Sequence, residues 1–299
     1  MTKEALNPVQ GFRQIVLSSR PLSWINTAFP FAAAYLVAGG QVDPLWIVGT
    51  IFFLIPYNLL MYGINDVFDY ESDLRNPRKG GAEGALLQPQ MHAVVVLTGI
   101  FSALPFLIAM FVLAGWSHPL AWPILAVSLF AVVAYSVRGL RFKEIPFLDS
   151  VTSSIHFVSP AVFGLALVGA EVTPSLIALL TAFFFWGMAS HAFGAVQDVV
   201  PDREAGIHSI ATVLGAARTV RLAIALWLLA GVLMLFTDWP GPMAAVLALP
   251  YVITALPWVS VSDARSEEAN AGWKRFLWLN FLSGFIVTML LIAYSLAQV

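Results

Sequence analysis

The sequence predicts an all-α, multi-pass membrane protein, with nine transmembrane helices arranged as two related four-helix halves plus one. Three observations predict it. Of the 299 residues, 59% are hydrophobic and only 11% are charged, with a mean hydropathy of +0.82. Soluble domains carry about 25% charged residues, and a soluble core has no use for this much apolar surface, so the bilayer is the expected solvent. Second, nine apolar segments are long enough to span, at about 20 residues each. Third, the connections between them alternate sharply in charge.

The segments fall in order at 22–40, 45–64, 92–115, 119–137, 150–169, 174–196, 217–236, 241–260 and 274–297. Turn-forming stretches close four of them: GGQVDP after the first, GWSHP after the third, GAEVTP after the fifth and TDWPGP after the seventh. The connections on the other side carry the basic residues. The N-terminal segment holds Lys3, Arg13 and Arg20; the second-to-third connection Arg75, Arg78 and Lys79; the fourth-to-fifth Arg138, Arg141 and Lys143. The sixth-to-seventh holds Arg203, Arg218 and Arg221, and the eighth-to-ninth Arg265, Lys274 and Arg275. These five groups of three account for all 15 Lys and Arg, while the opposite loops hold only Asp43, Glu171 and Asp238. Positive residues stay cytoplasmic, so the N-terminus and the acid-bearing loops are expected inside the cell membrane and the C-terminus outside.

Composition also excludes. A net charge of −2 points to no nucleic-acid partner, and the absence of cysteine rules out disulfides, thiolate catalysis and Cys-ligated metals. Residues 1–20 contain no uninterrupted apolar run and no small-residue cleavage pattern, so they read as a cytoplasmic N-terminal segment rather than a signal peptide.

The chemistry concentrates in two acidic clusters. NDVFDYESD, Asn65 to Asp73, places four carboxylates in nine residues at the end of the second span, and QDVVPDRE ends the sixth. They lie four spans apart on the same face, which suggests duplication with a site between the halves. Asn65, Asp69 and Asp73 are spaced i, i+4, i+8 and share one helical face, with Asp66 beside them and Glu71 pointing away. Asp198 and Asp202 repeat the i, i+4 spacing, with Glu204 off that face and Pro201 between them. Carboxylates this close repel unless something positive sits among them. Magnesium takes hard oxygen ligands and is usually held by one or two carboxylates plus substrate phosphates. The clusters therefore point to a Mg²⁺–diphosphate site, with Arg75, Arg78, Lys79, Lys143 and Arg203 on the right side to contact phosphate.

Other polar and aromatic residues are weaker candidates. Asn58 lies seven residues, about two turns, before Asn65 and could line the donor pocket, as could Asn26. His191 and His156 sit within apolar spans, where ionisable groups lean functional; His191 is the one expected at the pocket. Phe53, Tyr57, Tyr62, Tyr135, Phe193 and Trp186 offer ring faces to a cationic intermediate, or serve as packing.

NDVFDYESD resembles the NDxxDxxxD motif, and DVVPD the DxxxD motif, of the UbiA superfamily of intramembrane prenyltransferases. The resemblance implies nine helices in two four-helix halves within a single transmembrane domain over 1–299, and Mg²⁺-mediated binding of an isoprenyl diphosphate. It implies Asn65, Asp66, Asp69, Asp73, Asp198 and Asp202 as metal-binding residues, with Asp69 and Asp198 essential to catalysis. AYSVRGLRFK implies roles for Tyr135 and Lys143, and NPRKGG implies Arg78 and Lys79 as diphosphate contacts. Longer stretches, among them FFLIPYNLLMYGINDVFDYESDLRNPRKGG and FFFWGMASHAFGAVQDVVPDREAGIHSIATVLGA, are similar to actinobacterial lycopene elongases. That similarity implies dimethylallyl diphosphate as donor and lycopene as acceptor, giving C45 and C50 carotenoid precursors. Aromatic-acceptor members often carry a Lys shortly before the second motif; here HAFGAVQ has none, which counts against a phenolic acid acceptor. The alternatives are a UbiA-type enzyme acting on a quinone, chlorophyll or glycerolipid acceptor, and a nine-span carrier.

Overall fold

The computed structural model describes residues 7–74 and 85–297. Among these residues the secondary structure is helical throughout, with no strand. Two compact units divide the chain: Met1–Arg141 with Ser159–Gly169, and Phe142–Val158 with Ala170–Val299.

The first unit holds α1 (Pro8–Ser18), α2 (Ile25–Val37), α3 (Pro44–Leu54), α4 (Pro56–Phe68), α5 (Tyr70–Asp73), α6 (His92–Ala114) and α7 (Ala121–Ser136), and it takes the last part of α8 (Leu148–Leu167). Local chemistry places the starts. Asp43 caps α3 by accepting the Trp46 N–H at 2.8 Å, with Pro44 at the first helical position. Between α3 and α4, Pro56 has no N–H to offer the preceding turn, and the helix breaks at Ile55. The core is aromatic: Phe31, Phe52, Phe53, Tyr57 and Phe163 are fully buried, with Phe31 and Phe53 centroids 5.2 Å apart and Phe53 and Phe163 6.0 Å apart. Phe163 explains why the end of α8 belongs to this unit. A buried hydroxyl chain joins three helices, Tyr57 to Ser128 at 3.0 Å and Ser159 to Ser128 at 2.8 Å.

The second unit holds the first part of α8, α9 (Pro174–Ala195), α10 (Val199–Glu204), α11 (Ile210–Leu214), α12 (Ala216–Met234), α13 (Ala248–Ala255) and α14 (Asn270–Ala297). Thr173 caps α9 by accepting the Leu176 N–H at 3.1 Å, and Ser209 and Thr212 form a capping box on α11. The core is a stack of Trp186, Trp227, Tyr251 and Phe276, with Trp227 5.5 Å from Tyr251. Gly187 on α9 lets α8 approach closely: a Cβ there would lie 2.5 Å from the Ser154 hydroxyl. Trp278, Phe281 and Phe285 on α14 are exposed, as expected of a helix bathed in lipid.

Among the described residues, seven helical stretches are long and apolar enough to cross a membrane, each of 18 residues or more. Seven of the nine expected spans are among them, and the chain is a multi-pass membrane protein. The other two, 22–40 and 119–137, form the shorter helices α2 and α7, of 13 and 16 residues. At 1.5 Å per residue α2 is about 20 Å long, against a hydrocarbon core of about 30 Å. It is cut short by the Pro21–Ser23 turn at one end and by Gly39, at φ +96°, at the other.

Candidate functional site

The first acidic cluster sits where α4 gives way to α5. The interruption is small: Asp69 N–H donates to the Asn65 carbonyl at 2.9 Å and Asp73 N–H to the Asp69 carbonyl at 2.8 Å, so the helical path continues. Asn65, Asp69 and Asp73 therefore share one side, and Glu71 is exposed, as their spacing predicts. In the second cluster α9 tightens into a 3₁₀ turn over Val196–Asp198 before α10 begins, with Pro201 in the first turn of α10. At each interruption stands an aspartate with the same backbone. Asp69 has φ −97° and ψ −1°, and Asp198 has φ −98° and ψ 1°. This bridge region is sparsely populated and is where many active-site residues sit. The two motifs thus share this backbone at one aspartate each.

The neighbours of the first cluster are basic and polar. Ser136 donates to Asn65 Oδ1 at 3.0 Å. Arg141 lies 3.7 Å from Asp69, both partly exposed. Arg20 pairs with Asp66 at 3.0 Å and covers the Tyr62 ring at 4.2 Å, while the second oxygen of Asp66 accepts the Ala85 N–H at 3.2 Å. Burial pulls the Arg20 guanidinium down, but Asp66, Tyr62 and Asp73 together more than offset this and hold it above its ordinary pKa. Arg20 and Arg141 both have left-handed backbones, φ 49° and 43°; such strain in a non-glycine residue persists only where surrounding contacts hold it.

Within the second unit, Ser150 is hydrogen-bonded to His191 Nδ1 at 3.0 Å, and fully buried Asp149 accepts the Ile210 N–H at 2.7 Å and the Ser150 N–H at 2.6 Å. His191 lies seven residues before Asp198. Asp198, Asp202 and Lys143 are partly exposed, as is Tyr135 in the first unit.

Several expected site residues have structural partners instead. Asn58 is fully buried, and its Nδ2 donates to Thr27 Oγ1 at 2.7 Å and to the Phe53 and Leu54 carbonyls at 2.8 and 3.1 Å. Through these bonds it braces the α3–α4 break. Arg203 donates to the Thr212 carbonyl at 3.0 and 2.7 Å and pairs with Asp263 at 2.6 Å. Asp263 also accepts the Ala216 N–H at 2.7 Å, so the guanidinium ties α11 to Asp263, and Asp263 ties the start of α12 to the segment before α14. Phe53, Tyr57 and Phe193 are core, the Tyr62 face is taken by Arg20, His156 is buried and Asn26 is exposed. Arg78 and Lys79, with Arg75, lie outside the described residues.

Sequence reasoning missed the specific roles of Arg20 and Arg141, read only as positive-side anchors, and it passed over Ser136 and Asp149. An acid at the first turn of α8 was the available signal for Asp149; nothing local marks the others. Among the described residues no three His, Asp or Glu side chains form a ready metal cage. Asn65 and Asp69 in the first unit, and Asp198 and Asp202 in the second, are each hard oxygen donors, the ligand type Mg²⁺ takes when water and phosphate complete its shell.

The chain is 50% identical over 285 residues to the lycopene elongase/hydratase of Corynebacterium glutamicum, covering 95% of this chain and 98% of that protein. It is 55% identical over 276 residues to a C(50) beta-cyclic carotenoids biosynthesis protein of Dietzia sp., covering 92% of this chain. The chain spans 63% of the length of that Dietzia protein. Among solved structures, a UbiA homologue from Archaeoglobus fulgidus bound to GPP and Mg²⁺ matches with a TM-score of 0.65 at 20% identity, over 90% of this chain and 99% of that one. The family model for UbiA prenyltransferases covers residues 27–285, and with the paired aspartate breaks inside that range, the chain belongs to the UbiA prenyltransferase family.

Proposed function

We propose that this protein transfers dimethylallyl groups from dimethylallyl diphosphate to the ends of lycopene, giving C45 and C50 carotenoid precursors. The observation that carries this reading is the nearly end-to-end match, at 50% identity, to a lycopene elongase/hydratase. The matched backbones of Asp69 and Asp198 support it from the geometry.

In this reading Asn65, Asp69, Asp73, Asp198 and Asp202 hold Mg²⁺, which when bound stabilises the charge of the departing diphosphate. Lys143, Arg78 and Lys79 contact phosphate oxygens, and Tyr135 borders the allylic group. The allylic C–O bond breaks with its electron pair leaving on diphosphate. The terminal alkene of lycopene supplies the electrons for the new C–C bond, which leaves a tertiary cation. That cation loses a proton, or takes up water and then loses a proton. The membrane interior keeps stray water from the allylic cation before coupling. Asp66, Asn58 and Arg203 support the fold around the site. The acid-bearing loops and N-terminus face the cytoplasm, the C-terminus lies outside the plasma membrane, and 1–299 works as a single transmembrane domain.

The test is expression in a lycopene-accumulating bacterium with mass spectrometry of the extracted pigments. New C45 and C50 species, absent with Asp69→Ala, are expected, and added oxygen distinguishes water capture from proton loss. Unchanged lycopene with the protein present in the membrane overturns the acceptor assignment. Metal-dependent diphosphate release separates an enzyme from a carrier.

A further inference from the structure

Asp66 lies inside the acidic motif, and by sequence it belongs with the metal-binding carboxylates. Its surroundings differ from those of Asn65 and Asp69, which are partly exposed. Its side chain is fully buried, whereas that of Asp69 is partly exposed. One oxygen holds Arg20 Nη2 at 3.0 Å and the other accepts the backbone N–H of Ala85 at 3.2 Å. Arg20 is fixed in turn from below, by the Tyr62 ring one turn earlier on α4, 4.2 Å from its guanidinium carbon. Each oxygen keeps a free lone pair, but the Arg20 cation offsets the carboxylate's charge and burial closes it off, so it is a poorer partner for a divalent metal than the more exposed Asp69.

We propose that Asp66 is a positioning residue and not a metal ligand: paired with Arg20, it fastens two segments to the turn of α4 that presents Asn65 and Asp69, namely the turn between α1 and α2 and the chain at Ala85. This rests on the reading of Asn65 and Asp69 as metal-binding residues. The geometry separates the motif into an outward set, Asn65 and Asp69, and an inward anchor, Asp66. Arg20 holds a left-handed backbone, φ 49°, to reach this position, which marks the contact as held by its surroundings. The pair is almost entirely shielded from water, with side chains 18% and 0% exposed. Removing either partner leaves an uncompensated charge beside α4, whereas removing both charges together does not.

The test uses the full-length protein in detergent with a non-hydrolysable dimethylallyl thiolodiphosphate. Mn²⁺ serves as the probe, and free Mn²⁺ is followed by electron paramagnetic resonance. Asp69→Asn is expected to weaken Mn²⁺ binding at least tenfold. Asp66→Asn and Arg20→Gln are each expected to shift it less than threefold while lowering turnover roughly tenfold. The double variant is expected to be no worse than the poorer single one in turnover and melting temperature, because both act through one contact. Arg20→Lys, which keeps the charge, should restore part of the activity. Mn²⁺ binding weakened by Asp66→Asn as much as by Asp69→Asn overturns the proposal, as does full additivity of the two single variants. Unimpaired Mn²⁺ binding in Asp69→Asn instead strikes at the metal-site reading, and the coupling between Arg20 and Asp66 then decides the anchor by itself.

Discussion

Replacing Asn58 with leucine, which has nearly the same size, separates a structural from a substrate-binding role. The amide has two protons and three acceptors within reach: Thr27 Oγ1, the Phe53 carbonyl and the Leu54 carbonyl. Asn58→Leu removes two hydrogen bonds, at about 1 kcal/mol net each, and takes the amide donor from the partly buried Leu54 carbonyl, for about 1 kcal/mol more at most. Two features reduce the sum. The Phe53 carbonyl keeps its bond from the Thr27 hydroxyl at 2.7 Å, and side-chain hydrogen bonds within membranes average nearer 0.6 kcal/mol. A loss of about 2 kcal/mol is expected, or roughly 4–8 °C in melting temperature. The assay is thermal unfolding of the purified protein in detergent, with diphosphate-release kinetics on the surviving fraction. KM for the prenyl diphosphate should stay within about twofold of the original. An unchanged melting temperature with a tenfold rise in KM would refute the brace and return Asn58 to the donor pocket.

Other outcomes follow from the same geometry. Asp198→Ala is expected to abolish diphosphate release with little change in melting temperature, because Asp198 is partly exposed at a helix interruption; a cooperative loss of folding would contradict this. Chelation with EDTA should stop turnover in the membrane fraction, and added Mg²⁺ should restore it. Arg203→Ala should lower stability by about 1–2 kcal/mol, mainly through its bonds to the Thr212 carbonyl, since the half-exposed pair with Asp263 is discounted by solvent; its KM should hold. Gly187→Val forces atoms against Ser154, where a single added Cβ already lies at 2.5 Å, and should cost about 1–3 kcal/mol or prevent accumulation in the membrane.

The all-helical membrane fold was readable because hydropathy and loop charge report the bilayer directly. The acidic clusters were readable because i, i+4 spacing survives small interruptions: Asn65, Asp69 and Asp73 stay on one side, and Glu71 falls outside it. What escaped depends on contacts between distant residues. Arg20 and Asp66 are 46 positions apart, and nothing near Arg20 distinguishes it from an interfacial anchor. Asn58 looked like a pocket residue because the apolar run from 45 to 64 conceals a helix break; the break at Ile55 is what demands a donor there. Arg203 had the right side and charge for phosphate, but Asp263 was folded onto it. The helix α2 is shorter than its apolar segment because apolar residues continue past its ends, while turn geometry stops the helix sooner.

The buried hydroxyls of Tyr57, Ser128 and Ser159 bear on assembly. Helices α4, α7 and α8 each enter the bilayer carrying a polar group that has few partners in hydrocarbon. Only when the three meet in one register does the chain of hydroxyls close. A slip by a turn, about 5.4 Å, would separate the groups beyond hydrogen-bond reach. The hydroxyl chain therefore favours one register of α4, α7 and α8 over slipped ones that apolar packing alone would tolerate.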